Sequence, residues 1–468
     1  MLRMPNFVGV VRFVSSISNF TKLTSEIVFD TDSKIGPNMR HGPHHVAQKS
    51  TNVKPFAIVS LKFASVACFN AMSFLLYRIV DIRIECIIIL VKCKVFCNMK
   101  DIVYFDAAAS FLKPESVIAT EVDFLKNRYA NAGRGVCARA GAVDEMVAAV
   151  RRRVADFINA DSRQIVFTAN ATDGLNRIVN IIARRFDIAG FSVAVSDLDH
   201  HSARLPWAEM LDMGKIRKIE KCELDENFNI KIDSVPKSDV LVITAMSNVL
   251  GVSQDVAAIC RAARAKNPNV ITVVDATQYI VHHKIDVKKW DCDFLVASGH
   301  KIGADTGVGI LYIRDADKYM PDKFGGGMVL RIDGDMAIWN NSPDRFEAGT
   351  LPLTQICGLS VAIDELESCR PDLKLIKYMY DELKKNPRIK ILSSRDAALM
   401  TFVVDNMHPL DVGAMLGANN ICVRVGNMCA SWVHRVLGID GSIRVSVGSW
   451  NTRQDADKFL SVMNKIVK

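Results

Sequence analysis

From Met99 onward, short apolar runs alternate with stretches whose apolar residues recur at helical spacing. Ile165-Val-Phe-Thr168, Ser192 to Val195, Val240 to Ile243, Ile271 to Val274, Phe294 to Ala297 and Gly309 to Ile313 have the length and composition of strands buried on both faces. Gly174 to Arg185, Ala203 to Met213 and Asp255 to Ala265 read as amphipathic helices, the last stopped by Asn267-Pro268. Strand and helix in alternation predict an α/β fold with a mostly parallel sheet covered on both faces. Ligands of such sheets bind outside the carboxyl ends of the strands. Four polar residues fall just there, each after its own strand: Thr172, His200, Asn248 and Asp275.

Past Thr350 the pattern changes. Two long helical stretches, Leu353–Ser368 and Leu373–Lys385, precede short strands at Ile389–Leu392, Leu399–Val404 and Ile421–Arg424, and a last helix begins near Thr452. The chain therefore divides into an atypical extension over 1–98, a large ligand-binding domain over 99–350, and a smaller α+β domain over 351–468. The N-terminal part of the large domain is left free to pack with the small one.

Charge changes the picture in one respect. The formal net charge is +8, but residues 1–98 carry 12 Lys and Arg against 5 Asp and Glu, leaving 47 against 46 for the rest. The main body has no basic footprint, which argues against nucleic acid as a partner. Met1 to Ser25 has Arg3, Arg12, Lys22 and serines without an acid, the composition of a mitochondrial presequence. The first expectation is nevertheless an upstream extension with the working start near Met99, which makes the protein cytoplasmic. The apolar run Phe63 to Tyr77 is shorter than the roughly 20 residues of a spanning helix. The 12 cysteines show no CxxC pair, and Cys86, Cys93 and Cys97 lack matching partners, so reduced thiols and no metal site are expected.

The chemistry centres on Ala297-Ser-Gly-His-Lys301. A lysine at a strand end, flanked by small residues that let a ligand approach, suits a Schiff base with a carbonyl. Asp275 closes another apolar run, where a buried carboxylate needs a cationic or donor partner. It reads either as a helix cap or salt bridge, or as the acid that keeps a pyridine nitrogen protonated. Lys301 with Asp275 describes a site for pyridoxal phosphate. His200-His201 reads as a loop pair or as a ring stacked on that cofactor.

Further stretches carry a resemblance. Tyr104-Phe-Asp-Ala-Ala-Ala-Ser110, Leu198-Asp-His-His-Ser202, Ser247-Asn-Val-Leu-Gly251, Val274-Asp-Ala-Thr-Gln278, Asp291-Cys-Asp-Phe294, Ser298-Gly-His-Lys301, Arg345-Phe-Glu-Ala-Gly-Thr350 and Arg424-Val-Gly-Asn-Met-Cys429 stand in order from Asp101 to the C-terminus. In these the chain resembles the class V aminotransferase family, and within it the type II, SUF-type cysteine desulfurases. The resemblance implies a PLP-transferase fold of type I and a persulfide route from L-cysteine to L-alanine that supplies sulfur for iron–sulfur clusters. It also implies a homodimer and a SUF-type sulfur-acceptor protein. It implies that Lys301 holds the cofactor and shuttles the substrate Cα proton. Asp275 would pair with the pyridine nitrogen, Gln278 would donate to the phenolic oxygen, and His200 would stack on the ring. Thr172, Ser298 and His300 would bind the phosphate, with Thr350 reaching the neighbouring subunit's cofactor. Asn248 and Arg444 would hold the substrate carboxylate, with Arg424 also among the substrate-binding residues, and Cys429 would be the nucleophile, its thiolate favoured by Arg424 and Arg444.

The chain departs from that pattern at Asn427-Met428, where the family has a His-His pair, and at Gly133, Ala171 and Ala304-Asp305. The alternatives are another class V reaction, of aminotransferase or β-lyase type, and a paralogue without catalysis.

Overall fold

The computed structural model describes residues 102–133, 135–186 and 190–468. The expectations for residues 1–98, including the presequence-like start, the apolar run Phe63 to Tyr77 and the Cys86–Cys97 group, lie outside the described residues.

The chain enters as a two-residue strand, β1 (Val103–Tyr104), then forms α1 (Glu115–Asp123) and the long α2 (Ala138–Ile158). Strand β2 (Ile165–Thr168) leads to α3 (Ala171–Ala183), β3 (Ser192–Val195) to α4 (His201–Asp212), and β4 (Lys218–Lys221) to β5 (Val240–Thr244). After α5 (Val256–Lys266) come β6 (Ile271–Asp275), β7 (Phe294–Ser298) and β8 (Gly309–Ile313). These strands form one seven-stranded sheet in the order β2-β8-β7-β6-β5-β3-β4. The run β7-β6-β5-β3-β4 is parallel, and β8 lies antiparallel between β2 and β7. The α/β, mostly parallel architecture is thus as the apolar runs predict.

Successive strand residues point to opposite faces, and both faces are covered. Ile165, Leu241, Ile243, Leu295 and Ile310 pack with Val147, Val150 and Val154 of α2 and with Ile259 of α5. Val166, Val193, Val242, Val273 and Val296 pack with Leu175 and Ile178 of α3 and with Trp207 of α4. This is why the runs read as uninterrupted apolar segments. Because β2 and β7 run the same way, the carboxyl ends of β2, β3, β5, β6 and β7 lie along one edge of the sheet.

An exposed hairpin, β9 (Val329–Asp333) with β10 (Met336–Trp339), is followed by the segment 344–350. Two buried ion pairs anchor that segment. Arg151 of α2 grips Glu347 at 2.7 and 2.8 Å, and Glu347 also accepts the Phe167 N–H at 2.7 Å. Arg177 of α3 pairs with Asp322 at 2.9 Å and donates to the Phe346 carbonyl at 2.5 Å.

The C-terminal part comprises α6 (Leu353–Ser368), α7 (Leu373–Leu383), β11 (Ile389–Ile391), β12 (Met400–Val404), α8 (Pro409–Ala418), β13 (Ile421–Cys422), β14 (Arg424–Gly426), α9 (Ser431–Leu437), β15 (Ser442–Val445) and α10 (Arg453–Ile466). An antiparallel sheet has the order β11-β12-β15-β14, and β1 pairs in parallel with β13. Val103 and Phe105 therefore lie in the same apolar cluster as Phe402, Ile443 and Phe459. Both sheets belong to one compact unit.

Several expected boundaries move, three of them with a clear local cause. Helix α3 begins at Ala171, not Gly174, because the Asn170 side chain caps it by accepting from the Asp173 N–H at 2.9 Å. Helix α4 begins at His201, not Ala203, because the His200 ring caps it from the Ser202 N–H. The strand expected over Ile421–Arg424 is two strands, one on β1 and one on β15, interrupted at Val423. The hairpin and α2 carried no strand or helix expectation.

Candidate active site

At the common edge of the strands lies a cavity of about 370 Å³, in the range of small-molecule sites. Asp275 is the last residue of β6 and Ser298 the last of β7, and Lys301 ends the single tight turn Gly299–Lys301 that follows. All three line the cavity. The Lys301 ammonium donates to the Ala108 carbonyl at 2.7 Å and the Ala109 carbonyl at 2.9 Å. Burial, with the nearby Arg444 charge, pushes its pKa down to about 8, against the pull of Asp106 and Asp275. Asp275 accepts the Thr277 N–H at 3.0 Å and has no ion-pair partner among the described residues, which sets aside the salt-bridge reading.

His200 lines the cavity as the cap of α4. Its Nδ1 accepts the Ser202 N–H at 3.2 Å, which leaves the ring proton on Nε2, and burial lowers its pKa. The turn before it is held by the fully buried Asp199, which accepts the Ser196 N–H at 2.7 Å and the Thr244 N–H at 2.9 Å and so ties β3 to β5. The first turn of α3 brings Ala171 and Thr172 to the wall, and the Ala171 N–H donates to the Ser298 hydroxyl at 2.9 Å. His300 closes that side; burial, then the charges of Lys301 and Lys113, pushes its pKa down to about 4, so it is neutral near pH 7.

The opposite wall comes from the small sheet. Arg444 on β15 and Arg424 on β14 face each other in register, and both reach Asp106, at 3.3 and 2.5 Å. Arg444 is buried and also donates to the Asn248 carbonyl at 2.8 Å. The Asn248 amide donates in turn to the Met428 carbonyl at 2.7 Å. Met428 and Cys429 form a left-handed turn, with φ of 50° and 55°, and Cys429 is exposed at the cavity mouth.

Every residue to which the resemblance gives a role lines this cavity except Thr350, which is exposed and off its wall; His201 of the His200-His201 pair is off it too. Sequence reading missed Asp106, whose carboxylate unites the two arginines, and the carbonyls of Ala108 and Ala109. The signal was present in the small-residue run Ala107-Ala-Ala109, where the absence of bulk lets a backbone carbonyl meet a ligand or an ammonium. Thr277 was also missed. Three buried polar atoms of wall residues have no partner among the described residues: Thr277 Oγ1, Gln278 Oε1 and Arg444 Nε. Such atoms call for a polar occupant. A primary amine near neutrality, a carboxylate at a strand end, a neutral imidazole and two guanidiniums fit a phosphorylated pyridine aldehyde and an α-amino acid.

Among the described residues all eight cysteines are free, no group of His, Cys, Asp and Glu fits a metal, and no helix is long and apolar enough to cross a membrane.

Comparison with known proteins agrees with this geometry. The cysteine desulfurase of Pectobacterium carotovorum is 32% identical over 385 residues, spanning 79% of this chain and 94% of that protein. That of Serratia proteamaculans is 31% identical over 387 residues, with 79% and 95% covered. Among solved structures, an apo cysteine desulfurase from Thermococcus onnurineus superposes with a TM-score of 0.75 at 31% identity, covering 79% of this chain and 95% of that one. The cysteine desulfurase CsdA of Escherichia coli, in an S-sulfonic acid form, gives 0.72 at 29%, with 78% and 94% covered. The family described as Aminotransferase class-V matches residues 103–459. This chain belongs to the class V aminotransferase family, whose members use pyridoxal phosphate on a PLP-transferase fold.

Proposed function

We propose that this protein is a cysteine desulfurase, converting L-cysteine to L-alanine and leaving the sulfur as a persulfide on Cys429. The observation that carries the reading is the convergence of one amine, Lys301, and one exposed thiol, Cys429, on a single cavity that also holds two guanidiniums. Bound there, pyridoxal phosphate supplies an electron sink for the bonding pairs released at the substrate's carbons. Asp275 and His200 would orient its ring, Gln278 its phenolic oxygen, and Thr172, Ser298 and His300 its phosphate.

The chain's own residues divide the remaining work. Arg444 and Asn248 bind the substrate carboxylate, a planar anion suited to a guanidinium. Lys301 takes the Cα proton and returns it, a task for an amine whose pKa lies near neutrality. The Cys429 thiolate attacks the substrate sulfur. An S–S bond forms and the substrate Cβ–S bond breaks, its electron pair staying with carbon, where protonation completes alanine. The balance is one cysteine and one thiol in, one alanine and one persulfide out, with no external oxidant. Thr350, exposed and outside its own cavity, would serve a second copy's phosphate site in a homodimer. A sulfur-acceptor protein, feeding iron–sulfur assembly, would collect the persulfide from the exposed Cys429.

Two substitutions test the assignment because they act at different steps. Lys301→Ala abolishes both the visible cofactor absorbance and alanine release. Cys429→Ala keeps the absorbance and its shift on adding L-cysteine but releases alanine at less than about one-hundredth of the wild-type rate. Alanine release that survives Cys429→Ala would move the reading to another class V reaction. The substitution of Asn427-Met428 for the family's His-His pair is the one feature here that favours such a reaction.

A further inference from the structure

Resting on the reading of Cys429 as nucleophile, we infer that His201 is a positioning residue for that thiol, tying the C-terminal side of its turn through one backbone N–H and one imidazole. Left-handed backbone is sterically costly for a non-glycine residue, and Met428 and Cys429 adopt it in succession. A turn of this kind persists only where surrounding contacts hold it.

His201 makes those contacts. Its N–H donates to the Cys429 carbonyl at 2.7 Å. Its Nε2 accepts the Ser431 N–H at 3.1 Å and lies 3.1 Å from the Ser431 hydroxyl. The residues on either side of the buried Ala430 are thus both bound to His201. The imidazole is itself fixed. Trp432 meets it edge to face at 5.3 Å, the Arg204 guanidinium lies 4.2 Å over Trp432, and Arg204 is paired with Asp197 at 2.7 Å. On the far side of the turn, the Asn248 amide holds the Met428 carbonyl. His201 is the first residue of α4 and does not line the cavity, so it touches neither cofactor nor substrate. It acts through Cys429, coupling the turn to the helix whose cap is His200.

The test uses the pyridoxal phosphate-loaded full chain. His201→Phe keeps a ring against Trp432 and deletes the acceptor, whereas His201→Gln restores an oxygen near the Nε2 position. In His201→Phe, cofactor absorbance and KM for L-cysteine stay at wild-type values while kcat falls on the order of tenfold or more, the usual consequence of misplacing a reacting atom. Iodoacetamide labelling, read at the Cys429 peptide by mass spectrometry, becomes several-fold faster as the untied turn opens. His201→Gln returns both quantities toward wild type. Wild-type kcat and labelling in His201→Phe would overturn the proposal. If His201→Phe does not fold, His201→Asn against His201→Gln decides, since only the longer amide reaches the Ser431 N–H. If the wild type itself releases no alanine from L-cysteine, the desulfurase reading fails separately, and the labelling comparison alone judges His201.

Discussion

Lys301 shows how much of a residue's chemistry is set by where it is buried. The same amine on the surface would be protonated at every physiological pH. Here burial and the Arg444 charge bring its pKa down to about 8. Below that value the amine carries a proton and cannot attack an aldehyde; above it the lone pair is free. Capture of pyridoxal phosphate by cofactor-free protein should therefore speed up as pH rises from 6 to 9, with its midpoint near pH 8. Stopped-flow absorbance at fixed cofactor concentration measures this, and a flat profile would count against Lys301 as the attacking amine. Asp106 teaches a complementary lesson. Its carboxylate balances a buried guanidinium that would otherwise be costly in this interior, so it belongs to the site without touching the chemistry.

At the scale of the element, the cavity depends on how closely α3 and β8 approach. A Cβ built on Gly309 would lie 2.7 Å from the Asn170 Cα and 2.8 Å from its carbonyl carbon. Backbone atoms there have no rotamer by which to yield, and Asn170 caps the helix whose first turn lines the cavity. Gly309→Ala should lower stability by about 1–3 kcal/mol and weaken pyridoxal phosphate binding together. Gly417 in α8 is the control, since a Cβ there meets nothing within 4 Å. Gly417→Ala should stabilise the protein by about 0.4–1 kcal/mol through the unfolded chain, with cofactor affinity unchanged. Urea unfolding and a cofactor titration on both variants read the contrast; equal behaviour would refute the close-approach argument.

At the scale of the whole molecule, the start of the described residues meets the C-terminal sheet. The first strand pairs with β13, and Asp106 bonds to Arg444 across 338 positions of sequence. The site is thus assembled from both ends of the described chain and from the middle of the large sheet. Thr350 fits no role within that single copy. If a second copy supplies it, the protein sediments as a dimer, and Thr350→Ala weakens cofactor binding about tenfold, the loss of one hydrogen bond to a charged group. A monomer that binds pyridoxal phosphate stoichiometrically would remove this reading.

The alternation of buried strands and amphipathic helices is legible along the chain, and with it the sheet and the edge at which ligands bind. This is so because periodicity and burial on both faces are written locally. The sequence also marked the strand-end residues, since a lysine or carboxylate closing an apolar run is out of place unless it serves a site. Helix starts were misread by two or three residues because side-chain caps, from Asn170 and His200, decided them. What depends on distant pairing was fixed by the folded packing. It joined Asp106 to Arg424 and Arg444, and split the run after Ile421 between two sheets. It also set His201 against Cys429, 228 residues further on, by a single backbone hydrogen bond. No local pattern encodes such contacts, because each is the meeting of surfaces that the packing of both sheets brings together.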